Sequence, residues 1–147
     1  MHTRMPQFGE ANLRHLPGLF EKVDSLPVVE LPEPKRNDRR KYREAGHLLV
    51  GDKGLNCVAC HNFNGKPSPG LKGLDLLNSF ERLQPSWFAH FMRNPQKYRP
   101  GIVMPDFWPG GEAVRQDVLE GSADEQLHAL WHYFSLGRSA RDPSGIR

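Results

Sequence analysis

The residues best suited to chemistry are Cys57-Val58-Ala59-Cys60-His61, which contain both cysteines of the 147-residue chain. Two thiols at this spacing, with a histidine directly after the second, form the attachment sequence of c-type haem. The sulfurs add across the porphyrin vinyl groups and the imidazole reaches the iron. Other uses of the pair fit less well. A structural zinc site takes four ligands, and beside the thiols there are only dispersed histidines. A thioredoxin-like pair sits at the end of a strand in a βαβ unit, and no strand pattern lies nearby. A disulfide between residues this close in sequence would constrain little chain. The motif predicts one covalent haem c per chain, tethered by Cys57 and Cys60 and ligated by His61.

An axial histidine needs its other ring nitrogen held, usually by a backbone carbonyl, and residues 69–76 are the expected source. The second axial position separates electron carriage from ligand chemistry. Met104 stands between Pro100 and Pro105, whose rings restrict the backbone and would hold a thioether at a fixed distance. His47, His90, His128 and His132 compete for the position, but all fall on predicted helices, where a histidine is more often a surface or partly buried residue than a ligand. Met92 lies at helical spacing among apolar residues and is read as core. Phe63, Trp87, Tyr98, Phe107 and Trp108 are candidates to wall the group; plain packing is the competing role of each.

Helices must present these residues. Asn37 or Asp38 can cap a helix running to about Val50, with Tyr42, Ala45, Leu48 and Leu49 on one side, and it delivers the chain to the cysteines. Residues 62–75 are rich in glycine and proline and predict a loop around the histidine side. Residues 78–83 predict one or two helical turns. Pro85-Ser86 opens a helix over residues 87–93 with Trp87, Phe88, Phe91 and Met92 on its apolar face, and Asn94-Pro95 ends it. Residues 95–111 predict a long loop, and in a compact domain such a loop is usually functional. Ser122 and Glu125 have capping-box spacing, Gly137 is a plausible stop, and Leu127, Leu130, Trp131 and Phe134 between them form a buried stripe. Residues 142–147 are expected to fray.

Upstream, a short helix is predicted from about Pro17, followed by proline-spaced residues 26–34 that read as an extended linker. The divisions expected are an arm or linker over 1–36, a haem domain over 37–138 and a tail over 139–147. Met5-Pro6-Gln7-Phe8-Gly9 repeats the pattern of Met104-Pro105-Asp106-Phe107-Trp108, so the arm reads either as the tail of an upstream haem domain or as a chance match.

Composition agrees with one small domain plus an extension: 37% hydrophobic, 25% charged, with 13 prolines and 14 glycines that require much irregular loop. The net charge of +3 favours an acidic protein partner. Basic residues are dispersed apart from Lys35-Arg36 and Arg39-Arg40-Lys41, which reads as a solvated helix start, so nucleic acid is not expected as a partner. No apolar run approaches the length of about 20 residues that spans a bilayer. Covalent haem attachment belongs to exported compartments, so a periplasmic or otherwise exported setting is expected. The N-terminus lacks a signal pattern, so a mature form or a piece of a longer exported polypeptide is anticipated.

From about residue 38 to 137 the sequence resembles a bacterial class I cytochrome c domain. Trp87-Phe88-Ala89-His90-Phe91-Met92-Arg93-Asn94-Pro95 and Arg99-Pro100-Gly101-Ile102-Val103-Met104-Pro105 are similar to that family's tryptophan helix and proline-framed methionine loop. The resemblance implies an all-α fold around one haem, in which Gly46 and Val50 of the first helix cross Leu130 and Tyr133 of the last. It also implies that Trp87, Tyr98 or Arg99 bonds the haem propionates. One departure stands out: in Gly73-Leu74-Asp75-Leu76, Leu74 occupies the place of the family proline whose carbonyl receives the histidine's hydrogen bond. A leucine carbonyl can still accept that bond.

The function implied is single-electron transfer between exported redox partners, separate or fused, without catalysis by this chain. The alternative is a haem enzyme or gas-sensing domain with an open or labile sixth site. A third is a docking module in which haem mainly supplies core.

Overall fold

The computed structural model describes residues 7–146, so the Met5-Pro6 half of the repeat lies outside the described residues. The fold is all-α: among the described residues there is no strand, only two isolated bridges, His61 with Gly73 and Phe63 with Lys66. Among the described residues seven α-helices follow one another, α1 (Glu10–Leu13), α2 (Leu16–Val23), α3 (Arg39–Val50), α4 (Asn78–Arg82), α5 (Pro85–Arg93), α6 (Pro95–Tyr98) and α7 (Ala123–Ser135). No helix among the described residues is long and apolar enough to cross a membrane.

The frame is the crossing of α3 over α7. Tyr42, Ala45, Gly46, Leu49 and Val50 are buried on α3 and meet an α7 whose Leu127, Ala129, Leu130 and Tyr133 have no exposed surface. The helices touch at Gly46: a Cβ there would lie 2.5 Å from the Ala129 carbonyl oxygen and 2.5 Å from the Tyr133 Cβ. Only glycine permits that approach. The crossing expected at Gly46 and Tyr133 is therefore observed. Tyr42 donates from its hydroxyl to Glu125, adding a polar tie. Burial and this carboxylate push the Tyr42 hydroxyl up to about 12.

Capping explains the helix boundaries, with two revisions. Ser122 Oγ accepts from Glu125 N at 3.3 Å, but the Glu125 carboxylate reaches Tyr42 instead of closing the capping box. Asp38 stands at the N-cap of α3 without a side-chain cap. The predicted stripe on α7 is buried, and Gln126, His132 and Tyr133 are buried with it, so the helix is wrapped on more than one side. Residues 95–111 are not loop throughout. Pro95 begins α6, and Asn94 Oδ1 accepts from Lys97 N at 3.0 Å.

Two segments outside the helices, residues 26–34 and 142–146, are fastened to this frame. Residues 26–34 are extended, as their prolines require, but they form a strap and not a free linker. Val29 N donates to Ser86 Oγ at 2.9 Å, His90 Nε2 donates to the Pro27 carbonyl at 2.8 Å, and His128 Nε2 donates to the Pro32 carbonyl. Fraying of residues 142–147 is corrected as far as the described residues reach. Asp52 N bonds the Ser144 carbonyl at 3.0 Å, Pro143 is fully buried, and Asp142 receives Lys66 Nζ at 2.6 Å. The helices α1 and α2 bury no residue and leave Phe8, Leu19, Phe20 and Val23 exposed.

Candidate functional site

The end of α3 leads through a turn at residues 51–56 into a 3₁₀ turn, Cys57–Ala59. Cys60 N and His61 N both bond the Cys57 carbonyl, at 3.2 and 3.0 Å. Cys60 is the C-cap of this turn, so one short turn separates the two cysteines. Both thiols are free and half-buried. Burial, with a smaller contribution from Cys60, pushes the Cys57 thiol up to about 12. Val58 between them is buried and anchors the turn in the core.

His61 follows the turn and its ring is held. Nδ1 lies 3.0 Å from the Leu74 carbonyl oxygen. A carbonyl can only accept, so Nδ1 carries the hydrogen and the Nε2 lone pair remains for a metal. The expected source, residues 69–76, supplies this bond at Leu74 itself. The backbone pairs on either side: Gly73 N bonds the Cys60 carbonyl at 2.6 Å and Leu76 N bonds the Asn62 carbonyl at 3.0 Å. At Gly73 a Cβ would stand 2.5 Å from the Cys60 oxygen and 2.9 Å from His61 Nδ1, so a side chain would occupy the place of the ring.

The loop carrying Leu74 starts with a tight turn. Phe63 and Lys66 exchange backbone hydrogen bonds across Asn64 and Gly65, which have φ of 52° and 75°. This is the left-handed pair of a two-residue hairpin, and Asn-Gly is its usual sequence. Phe63 itself is fully buried and stacks on Tyr133, centroids 5.6 Å apart, which joins the loop to the α3–α7 crossing.

Comparison with models of known families, with curated proteins and with solved structures finds no match for this chain. The site therefore has to be read from its own geometry.

The remaining candidates fall into two groups. Trp87 stacks on Phe91 with centroids 4.8 Å apart, and Tyr98 lies 6.3 Å from Trp87, so α5 and α6 form an aromatic cluster at the surface. Arg99 follows it and is exposed. Met104 is half-buried and packs at the edge of the core, while its neighbour Val103 is 78% exposed. Beyond it, Phe107 and Trp108 are buried, and Trp108 Nε1 donates to Gln126 Oε1 at 3.0 Å. Gln126 Nε2 in turn donates to the Arg115 and Val118 carbonyls, at 2.7 and 2.8 Å. Met92 is core, as its spacing implied.

Three of the competing histidines have one ring nitrogen engaged. His47 Nε2 donates to the Asp142 carbonyl at 3.0 Å, and His90 and His128 face the strap as described. His132 is buried on α7, and that burial lowers its pKa. Among the described residues no group of three or more His, Cys, Asp or Glu side chains is gathered to hold an ion.

The reading of the sequence alone missed Asp75, Gly73 and Gln126 as site-building residues. Asn64-Gly65 signalled the turn whose amides donate to the Asp75 carboxylate, Asn64 N at 3.2 Å and Gly65 N at 2.6 Å. Gln126 was signalled only by being a polar residue amid an apolar stripe.

Proposed function

We propose that this chain is a monohaem c-type cytochrome domain of the class I type, which carries single electrons between exported redox proteins. The observation that carries the reading is the His61 ring: Nδ1 bonded to the Leu74 carbonyl at 3.0 Å, Nε2 left for iron, and two free thiols presented by the turn just before it. This donor set fits a covalently tethered haem, since two free thiols one turn apart match two vinyl groups and a neutral imidazole matches an iron ligand.

When bound, the haem supplies a one-electron ferric/ferrous couple. The chain's own residues tether and orient it. Cys57 and Cys60 would hold the porphyrin through thioether bonds, and His61 would ligate its iron. The Leu74 carbonyl polarises the ring N–H and so raises the basicity of Nε2. Met104 is assigned the other axial position. His47, His90 and His128 lie on α3, α5 and α7 and are each tied to a backbone carbonyl of the tail or the strap, which gives them a structural role in the fold. Leu71, Leu74 and Val103 are 59%, 68% and 78% exposed, apolar surface suited to covering a haem edge. Trp87, Tyr98 and Arg99 are assigned to the propionates. With His61 and Met104 both ligating, the haem would serve electron transfer and not substrate binding.

The partner is a redox protein, separate or fused, with an acidic docking face. Exposed Lys72 and Arg99 on loops, Lys97 on α6 and the net charge of +3 support electrostatic steering.

The test is the absorption spectrum of the holoprotein, oxidised and reduced. Low-spin spectra with the weak far-red band of a methionine-bound ferric haem c, lost in Met104→Ala, are expected. High-spin features and ready carbon monoxide binding by the wild-type protein would instead establish the enzyme or gas-sensor alternative.

A further inference from the structure

Resting on the reading of His61 as an axial ligand, we propose that Asp75 is its positioning residue, replacing with a hydrogen-bonded clamp the rigidity that a proline at position 74 would give. Leu74 cannot hold its own carbonyl in place. Its side chain is 68% exposed, and a leucine leaves φ free where proline would restrict it. Yet the Leu74 carbonyl is the group that orients the His61 ring.

Asp75 follows directly, and its carboxylate accepts three backbone hydrogen bonds. Oδ1 receives Leu77 N at 3.0 Å and Asn64 N at 3.2 Å, and Oδ2 receives Gly65 N at 2.6 Å. The bond to Leu77 closes an Asx turn on the C-terminal side of Leu74. The other two reach across the loop. Asn64 and Gly65 are consecutive left-handed residues, and successive amides in a turn make a concavity suited to an anion. The Asp75 carboxylate fills it.

This clamp surrounds the histidine. The Asn64-Gly65 turn begins two residues after His61 in the chain, and Asp75 is one residue after Leu74. Fastening the turn to Asp75 fixes the separation between the ring and its acceptor. Backbone bonds of Gly73 to Cys60 and Leu76 to Asn62 set the register on both sides, and the carboxylate locks the open end. Charge-assisted bonds to backbone amides are the stronger kind, so this carboxylate does more than a neutral amide could.

Asp75→Asn tests the clamp, because one amide oxygen cannot serve three N–H donors and the new NH₂ group faces N–H. The measurement is exchange of the His61 Nδ1 proton by ¹⁵N-resolved NMR on the full chain, with and without haem, together with the reduction potential of the haem-loaded protein. Exchange is expected to accelerate by roughly tenfold or more, the opening equivalent of one lost bond to a charged group. The potential is expected to rise, because a less basic imidazole stabilises the ferric state less. Leu74→Pro added to Asp75→Asn should restore both values. Lys66→Met, which removes a tie of the same loop to Asp142, should lower stability and leave both unchanged.

Should Asp75→Asn reduce helicity, Asp75→Ser carries the same expectation, since its hydroxyl can serve Leu77 N but is too short to span both amides of the turn. Unchanged exchange and potential in a folded Asp75 variant would overturn the assignment, as would failure of Leu74→Pro to restore them. Absence of covalent haem from the wild-type chain would overturn the underlying cofactor reading. The exchange rate in the haem-free chain distinguishes that result from failure of the clamp.

Discussion

The loop that follows His61 and the loop that carries Met104 are built on different physical principles. Residues 62–77 are bonded at nearly every step: a hairpin turn at Asn64-Gly65, a carboxylate clamp at Asp75, backbone pairs at Gly73 and Leu76, and a buried Phe63 stacked on Tyr133. Residues 99–106 contain one local backbone bond, Ile102 N to Arg99, between prolines that narrow the accessible conformations. One firm attachment comes afterwards, where Phe107 and Trp108 enter the core and Gln126 receives the indole. The histidine side is thus held by hydrogen bonds formed on folding. The methionine side is held by restricted chain entropy between two anchors, α6 with its buried Pro95 and the core residues Phe107 and Trp108. Such a design presets the imidazole and leaves the thioether free to adjust.

Changes on either side should expose that contrast. The largest effect is expected from Gly73→Ala, whose methyl would meet the Cys60 carbonyl at 2.5 Å and His61 Nδ1 at 2.9 Å. Backbone must move, at a cost of about 3 kcal/mol, the upper part of the range for overpacking. Chemical denaturation should show this loss, and NMR should show the His61–Leu74 bond broken. Next comes Gln126→Ala, which leaves the buried Trp108 N–H without its acceptor and two carbonyls without their donor. About 2 kcal/mol of stability should be lost, within the range for unsatisfied buried polar groups. Methionine ligation should weaken while exchange at His61 Nδ1 stays as in the wild type. The smallest effect is expected from Pro105→Ala, about 0.4–1 kcal/mol through the unfolded state. Its readout is easier displacement of Met104 by added imidazole. Equal response of both axial sides to Gln126→Ala would show that the loops are coupled and the contrast is wrong.

Much of the frame was legible because it is local. The spacing Cys57-Cys60-His61, the apolar faces of α3, α5 and α7 and Ser122 as an N-cap all follow from periodicity or a short pattern, whereas Gly46 opposite Tyr133 was expected only from the resemblance to a known family. Asn94-Pro95 was read only as a stop, although asparagine before proline is also a good start, and α6 was missed. The strap and the tail were misjudged for another reason. Proline spacing states that residues 26–34 are extended, but not that His90 and His128 donate to their carbonyls from across the fold. Asp75 was hidden likewise: its partners are backbone amides about ten residues back in the chain, and backbone amides have no sequence signature.

The most direct test of the central claim is the intact mass of the full chain produced in an exported compartment with haem-attachment machinery, beside Cys57→Ser/Cys60→Ser. The account predicts that the wild-type chain carries the mass of one haem through denaturation and the variant carries none. A wild-type chain with the mass of the bare polypeptide, both thiols still free, would contradict it.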